Sequence, residues 1–178
     1  MLEIELKVSV PDLVPVRSSL VTLGAISQGK LHEHDIYYNA PHRDFGITDE
    51  AMRVRYTNDH AVVTYKGAKI KTFGLKAREE LNTAVESGPV FEEMLDRLGF
   101  RKTAEVNKWR ETFRFGIASV SLDTVDELGT FVEIEVMTET GSDATEQIAS
   151  IAEKIGVHGQ PILESYLELL LAKRLSGK

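Results

Sequence analysis

Apolar and charged residues alternate one for one over long stretches of this chain. In Leu2-Glu3-Ile4-Glu5-Leu6-Lys7-Val8, an extended backbone sends successive side chains to opposite faces, so Glu3, Glu5 and Lys7 share one face and the aliphatic residues the other. The same period of two predicts strands near 2–10, 26–39, 51–57, 61–66, 73–85, 101–115, 117–124 and 130–138. Helical spacing is confined to four places. Leu13, Val16, Leu20 and Leu23 follow Pro11-Asp12 and stop at Gly24, predicting a helix over 12–23. Phe91, Met94, Leu95 and Leu98 end at Gly99, and Ile148, Ile151, Ala152 and Ile155 end at Gly156. Asp143 with Glu146 reads as the capping pair that starts the latter helix. From about 164, Leu167, Leu170, Leu171 and Leu175 predict a closing helix whose stripe packs on the core.

Eight strands with a few helices make an α+β domain, and strands so numerous tend to close into a barrel because closure removes exposed edges. The 178 residues suit one domain spanning 1–178, with no low-complexity linker.

The charged faces are sorted. Lys76, Arg78 and Glu80 oppose Leu75, Leu81 and Val85; Lys108 and Arg110 oppose Trp109 and Phe113, which are expected in the core. Ser121 and Asp123 share a face, as do Glu133 and Glu135. A two-residue loop at Asn58-Asp59 would place Arg55 opposite Val62, Arg53 opposite Thr64 and Lys66 opposite Ala51, so that three cations converge. One wet face and one dry face is the ordinary cause of such alternation. Solvent faces mix in Ser, Thr and Gln, however, whereas here the pairs are E-x-E, R-x-R and K-x-R. If these faces turn inward, so many buried charges require a highly charged ligand to complete their pairing.

Composition narrows the chemistry. There are no cysteines, so disulfides, thiolate nucleophiles and cysteine-ligated metals are excluded, and a metal must be held by oxygen or imidazole. A net charge of −7 argues against a nucleic-acid surface, though not against cations gathered in one pocket. No apolar run approaches the roughly 20 residues of a membrane span, and no export signal is visible, so the cytoplasm is the expected location.

With these residues in place, Glu3-Ile4-Glu5-Leu6-Lys7 resembles the ExExK signature of the CYTH superfamily, the triphosphate tunnel metalloenzymes. Further matches follow in order: His34-Asp35-Ile36-Tyr37-Tyr38, Met52-Arg53-Val54-Arg55, Thr64-Tyr65-Lys66-Gly67, Lys76-Ala77-Arg78-Glu79-Glu80, Lys108-Trp109-Arg110, Leu122-Asp123, Leu128 to Glu135, and Ser165 to Leu170. The resemblance implies an eight-stranded antiparallel tunnel with helices outside. It implies that Lys7, Arg53, Arg55, Lys66, Lys76, Arg78, Lys108 and Arg110 hold triphosphate oxygens, with Glu5, Lys7, Arg53 and Arg55 closest to the chemistry. It further implies that Glu3, Glu5, Asp123, Glu133 and Glu135 hold Mg²⁺ or Mn²⁺, while Asp35 and Glu80 orient the basic residues and Tyr37 faces the lumen. Asn82 departs from the pattern, standing where relatives often carry an acid. His32 and His34 share a face and form an alternative metal pair; the carboxylates suit a hard cation better.

The resemblance implies a class IV adenylyl cyclase, converting ATP to cyclic AMP and pyrophosphate, or else a triphosphatase acting on tripolyphosphate, a nucleoside triphosphate or thiamine triphosphate. A non-catalytic polyphosphate sensor is the third alternative. A triphosphate-containing small molecule is the expected partner, without nucleic acid or membrane, and a homodimer is left open.

Overall fold

The computed structural model describes residues 2–58, 60–72, 75–138 and 143–177. Nine strands run in chain order: β1 (Leu2–Ser9), β2 (Ile26–Asn39), β3 (Ala51–Thr57), β4 (His60–Lys66), β5 (Ile70–Thr72), β6 (Leu75–Val85), β7 (Arg101–Phe115), β8 (Ala118–Val125) and β9 (Gly129–Thr138). Five helices accompany them: α1 (Val14–Thr22), α2 (Phe45–Thr48), α3 (Gly88–Arg97), α4 (Ala144–Lys154) and α5 (Tyr166–Ser176). The sheet order β1-β9-β8-β7-β2-β3-β4-β6 closes through β6–β1 pairing, and β5 adds three residues beside β6. The result is an eight-stranded antiparallel barrel with helices outside, the α+β architecture anticipated above.

Most elements lie where the alternation places them. Gly24, Gly99 and Gly156, just past α1, α3 and α4, take φ of 79°, 85° and 72°, a left-handed turn that glycine adopts without a Cβ penalty. β3 and β4 meet in the expected register, with Ala51 opposite Lys66, Arg53 opposite Thr64 and Arg55 opposite Val62. Of the turn residues expected there, Asp59 lies outside the described residues, as do positions 73 and 74 of the fifth predicted strand.

Two short elements escape the periodicity. β5 is three residues, and α2 is a single turn held by the Asp44 side chain, which accepts the Gly46 N–H at 2.9 Å. Asp143 occupies the N-cap of α4, but its side chain makes no capping hydrogen bond there. The reciprocal capping box belongs instead to α5, where Ser165 Oγ accepts the Glu168 N–H at 3.2 Å and Glu168 accepts the Ser165 N–H at 2.7 Å.

The barrel is greasy outside and charged inside. Outward residues of β1, β8 and β9, among them Ile4, Val120, Val132 and Ile134, pack under α1 and α4 against Leu20, Ile148 and Ile155. On the other side, Ile36, Val54 and Val63 pack under α3 against Leu95. A fully buried aliphatic or Phe side chain contributes about 1.5–3 kcal/mol, so these helices hold the outer faces dry. Phe113 is fully buried as expected, but Trp109 is 48% exposed. This corrects its assignment to the core: Trp109 rests against the exposed His32 instead, at 5.1 Å between ring centroids.

Candidate active site

Strand pairing sets the charged residues side by side. On β1, Glu5 stands opposite Glu135 and Lys7 opposite Glu133 of β9, while Glu3 and Glu5 face Arg78 and Lys76 of β6. Across the barrel Asp35 pairs with Arg55, Glu33 with Lys108 and Arg110 with Asp123. Lys66 sits opposite Glu80. These side chains surround a cavity of about 130 Å³. All eight basic residues singled out from the sequence line it, together with Glu3, Glu5, Glu80, Glu133, Glu135, Tyr37 and Tyr166.

Burial makes every one of these contacts consequential, since a charge removed from water must find a partner. Lys7, 2% exposed, lies 3.1 Å from Glu5 and 3.3 Å from Glu133 and donates to the Glu164 carbonyl at 3.0 Å. Lys76 pairs with Glu5 at 2.7 Å, and Lys66 bridges Glu80 at 2.5 Å and Glu3 at 3.3 Å. Asp35 accepts Arg55 through both oxygens at 2.6 and 2.7 Å and Arg53 at 3.4 Å, the orienting role anticipated for it. Arg78 donates to the carbonyls of Gly67 at 2.7 Å and Asp49 at 2.6 Å, which fixes its guanidinium at the lumen wall.

The carboxylates divide by environment. Burial, reinforced by a hydrogen bond shared with Glu80, pushes Glu3 up to about 8. Burial likewise raises Glu135, against the attraction of Arg110 and with repulsion from Glu133 and Glu5 adding to it. At Glu5 burial also opposes ionisation, but Lys7 and Lys76 hold the group below its ordinary range. Arg110 and Lys7 do the same, more strongly, for Glu133. Burial lowers Lys76 and Lys108.

Glu3, Glu5 and Glu135 gather on the neighbouring strands β1 and β9. Their carboxylate oxygens come within 4.8 Å of one another, and among the described residues this is the one such group of His and acidic side chains. Glu5 Oε1 is buried, with the Lys7 ammonium 3.1 Å away. An all-oxygen donor set that resists carrying its full negative charge suits a hard divalent cation.

The other two expected ligands, Asp123 and Glu133, stand against basic side chains. Asp123, fully buried, accepts Arg110 Nε at 2.7 Å and Nη2 at 2.5 Å, and the Tyr166 hydroxyl at 2.8 Å. Glu133 is bound by Arg110 and Lys7. His34 contacts Glu105 at 2.9 Å on the outer face, and neither His32 nor His34 joins an acidic group able to hold a metal. Asn82 accepts the Thr64 hydroxyl at 2.7 Å and donates to Glu80 at 2.8 Å, so this position supports Glu80 as an amide.

Glu33 and Tyr166, both in contact with the lumen cations, were missed from the sequence. Glu33 lies 2.9 Å from Arg55 and 3.2 Å from Lys108; its parity with Asp35 and Tyr37 was the available signal. Tyr166 had no such signal, because it enters from the first turn of α5. Its ring lies beneath Lys7 at 4.4 Å and Lys108 at 5.0 Å, cation–π distances, and packs edge-on against Phe131. Lys69 ties the same turn down, reaching Glu168 and Asp49 at 2.6 Å each.

Comparison with known proteins agrees with this architecture. A Methanocaldococcus jannaschii protein provisionally named an adenylate cyclase is 34% identical over 176 residues, 99% of this chain and 91% of that protein. The structure of PH1819 from Pyrococcus horikoshii superposes with a TM-score of 0.84 at 34% identity, covering 97% of this chain and 99% of that one. The Hippeastrum protein HpAC1 shares the fold at 18% identity, with a TM-score of 0.69 and coverage of 99% and 96%; its description reports a dominant triphosphatase activity. The CYTH domain family matches residues 1–164, and the chain, with its closed barrel and inward ring of paired charges, belongs to that family.

Proposed function

We propose that this protein is a metal-dependent enzyme that holds a triphosphate in the tunnel and converts ATP to cyclic AMP and pyrophosphate. The observation that carries the reading is charge balance. Eight basic side chains line the lumen, five carboxylates line it with them, and Glu33, Asp35 and Asp123 stand against the same cations. The lumen side chains are thus formally neutral in sum, and a polyphosphate entering alone would leave the site strongly negative. Cations must enter with the substrate.

The residues divide the work accordingly. Arg53, Arg55 and Arg110 offer planar forks to phosphoryl oxygens, while Lys7, Lys66, Lys76 and Lys108 act as compact charges. Arg78, already committed to two carbonyls, shapes the wall as well as adding charge. Glu3, Glu5 and Glu135 would hold Mg²⁺ or Mn²⁺. When bound there, such an ion neutralises charge developing on the phosphoryl oxygens. Glu5, kept ionised by Lys7 and Lys76, serves as a ligand rather than as a proton acceptor. In the cyclase reaction the 3′-hydroxyl attacks the α-phosphorus, the bond to the bridging oxygen breaks, and pyrophosphate leaves carrying the proton that the hydroxyl gives up. The lumen contributes alignment and charge, the main needs of phosphoryl transfer. The name of the Methanocaldococcus jannaschii relative favours this reaction.

A second reading, hydrolysis of the terminal phosphate, is favoured by the activity named for HpAC1. Product analysis with ATP and with tripolyphosphate, under Mg²⁺ and Mn²⁺, separates the two. Cyclic AMP is the expected product; orthophosphate without cyclic product would select the hydrolase, and no turnover of either compound would overturn both.

A further inference from the structure

Ser165 caps α5 and makes Tyr166 its first residue. Side chains on a helix lean back toward its N-terminus, so this ring projects past the helix end into the barrel, where it lines the lumen. The capping box, the ion pair of Glu168 with Lys69 and the edge-on Phe131 ring fix it there, 5% exposed. Its two halves meet different charges. The ring lies 4.4 Å from the Lys7 ammonium and 5.0 Å from that of Lys108, while the hydroxyl donates to Asp123 Oδ2 at 2.8 Å. We propose that Tyr166 is a positioning residue for the triphosphate: its ring holds the Lys7 and Lys108 ammonium groups at the lumen with their charge undiminished, so that they meet phosphoryl oxygens instead of withdrawing to the carboxylates beside them. The inference rests on the triphosphate reading above and adds to it a residue contributed by α5.

Lys7 and Lys108 stand on β1 and β7, with β9 and β8 between those strands in the sheet. No strand register therefore sets one ammonium against the other; a single ring that touches both does. Burial, with Arg110 and Arg55 close by, holds Lys108 below its ordinary range, so its charge needs a stabiliser. An anion would supply one and cancel the charge toward a phosphate, whereas the negative face of an aromatic ring stabilises a cation without neutralising it. Carboxylates do stand within reach: Glu5 and Glu133 lie 3.1 and 3.3 Å from Lys7, and Glu33 lies 3.2 Å from Lys108. Asp123 Oδ2, however, stops 3.8 Å from Lys108, and that same oxygen already accepts the Tyr166 hydroxyl and Arg110 Nη2. The hydroxyl thus occupies the acceptor that would draw Lys108 away from the lumen, and the ring holds the ammonium where it is. Packing alone would need only an apolar neighbour such as Phe131, so contact with two ammonium groups goes beyond what a core tyrosine requires.

Phenylalanine and ring-fluorinated phenylalanines at position 166, introduced by stop-codon suppression, keep the shape of the side chain while fluorination removes the negative face of the ring. Tyr166→Phe is the reference, so the lost hydroxyl is common to the whole series. The measurement is equilibrium binding of inorganic tripolyphosphate with Ca²⁺ in place of Mg²⁺ to suppress turnover. Affinity is expected to fall stepwise with fluorination, by about tenfold for the pentafluoro ring, because a desolvated cation–π contact is strong enough to shift an equilibrium by that factor. Should the pentafluoro variant not fold, the difluoro variant reads the same trend. Affinities equal to that of Tyr166→Phe across the folded series would overturn the role of Tyr166 while leaving the tunnel reading in place. Failure of the unsubstituted protein to bind tripolyphosphate would overturn the tunnel reading, and this role with it.

Discussion

Asp123 separates two roles that the sequence left merged. The resemblance implies a metal ligand, whereas the fold commits both its oxygens to Arg110 and one of them also to Tyr166. Asp123→Asn keeps the shape and removes the charge, turning an amide N–H₂ toward donors that need an acceptor. Breaking a buried ion pair in this way costs about 3–5 kcal/mol. Arg110 retains Glu133 as a partner, so the lower end applies, about 3 kcal/mol. For a domain of this size each kcal/mol moves Tm by about 2–4 °C, which predicts a fall of about 6–12 °C in thermal unfolding without ligand. Calorimetric titration with Mg²⁺ supplies the second half of the test: affinity for the ion should stay within about twofold, since Glu3, Glu5 and Glu135 are untouched. A variant that melts with the parent protein but loses Mg²⁺ affinity would show that Asp123 ligates the ion and that its bonds to Arg110 are incidental.

Three further outcomes follow from the same contacts. Glu3 has a folded pKa near 8 against 4.5 unfolded, so its protonated form stabilises the fold fully below pH 4.5. That contribution is lost as pH rises through 8; Glu3→Gln should flatten this part of the stability profile measured by denaturant titration, and an unchanged slope would contradict the assignment. Tyr166→Phe removes only the hydroxyl donated to Asp123 while keeping the ring under Lys7 and Lys108, so it should cost about 1 kcal/mol, or roughly 2–4 °C in Tm. A Cβ at Gly88 would come within 2.4 Å of the Tyr56 ring, whose hydroxyl is held by Glu92. Gly88→Ala is therefore expected to destabilise by about 1–3 kcal/mol, read by denaturant unfolding, without altering triphosphate affinity.

What could be read directly from the chain was local. Side-chain parity along a strand depends only on backbone geometry, so the grouping of Glu3 with Glu5 and Lys7, or of Arg53 with Arg55, needed no partner strand. The glycines that stop α1, α3 and α4 and the β3–β4 register were likewise legible, because a short turn sets the pairing of its two flanking strands. Tertiary structure decided which face turned inward, and that rests on ring closure: four residues of β1 pair with β6 and make the charged face a lumen instead of a wet surface. It decided that Asp123 faces Arg110, that Glu33 joins the set, and that Trp109 lies half exposed against His32. It also decided that Tyr166, 159 positions beyond Lys7, meets it inside the barrel. Each of these depends on contacts between strands and helices far apart in the chain, and alternation within one strand carries no information about what the closed barrel brings against it.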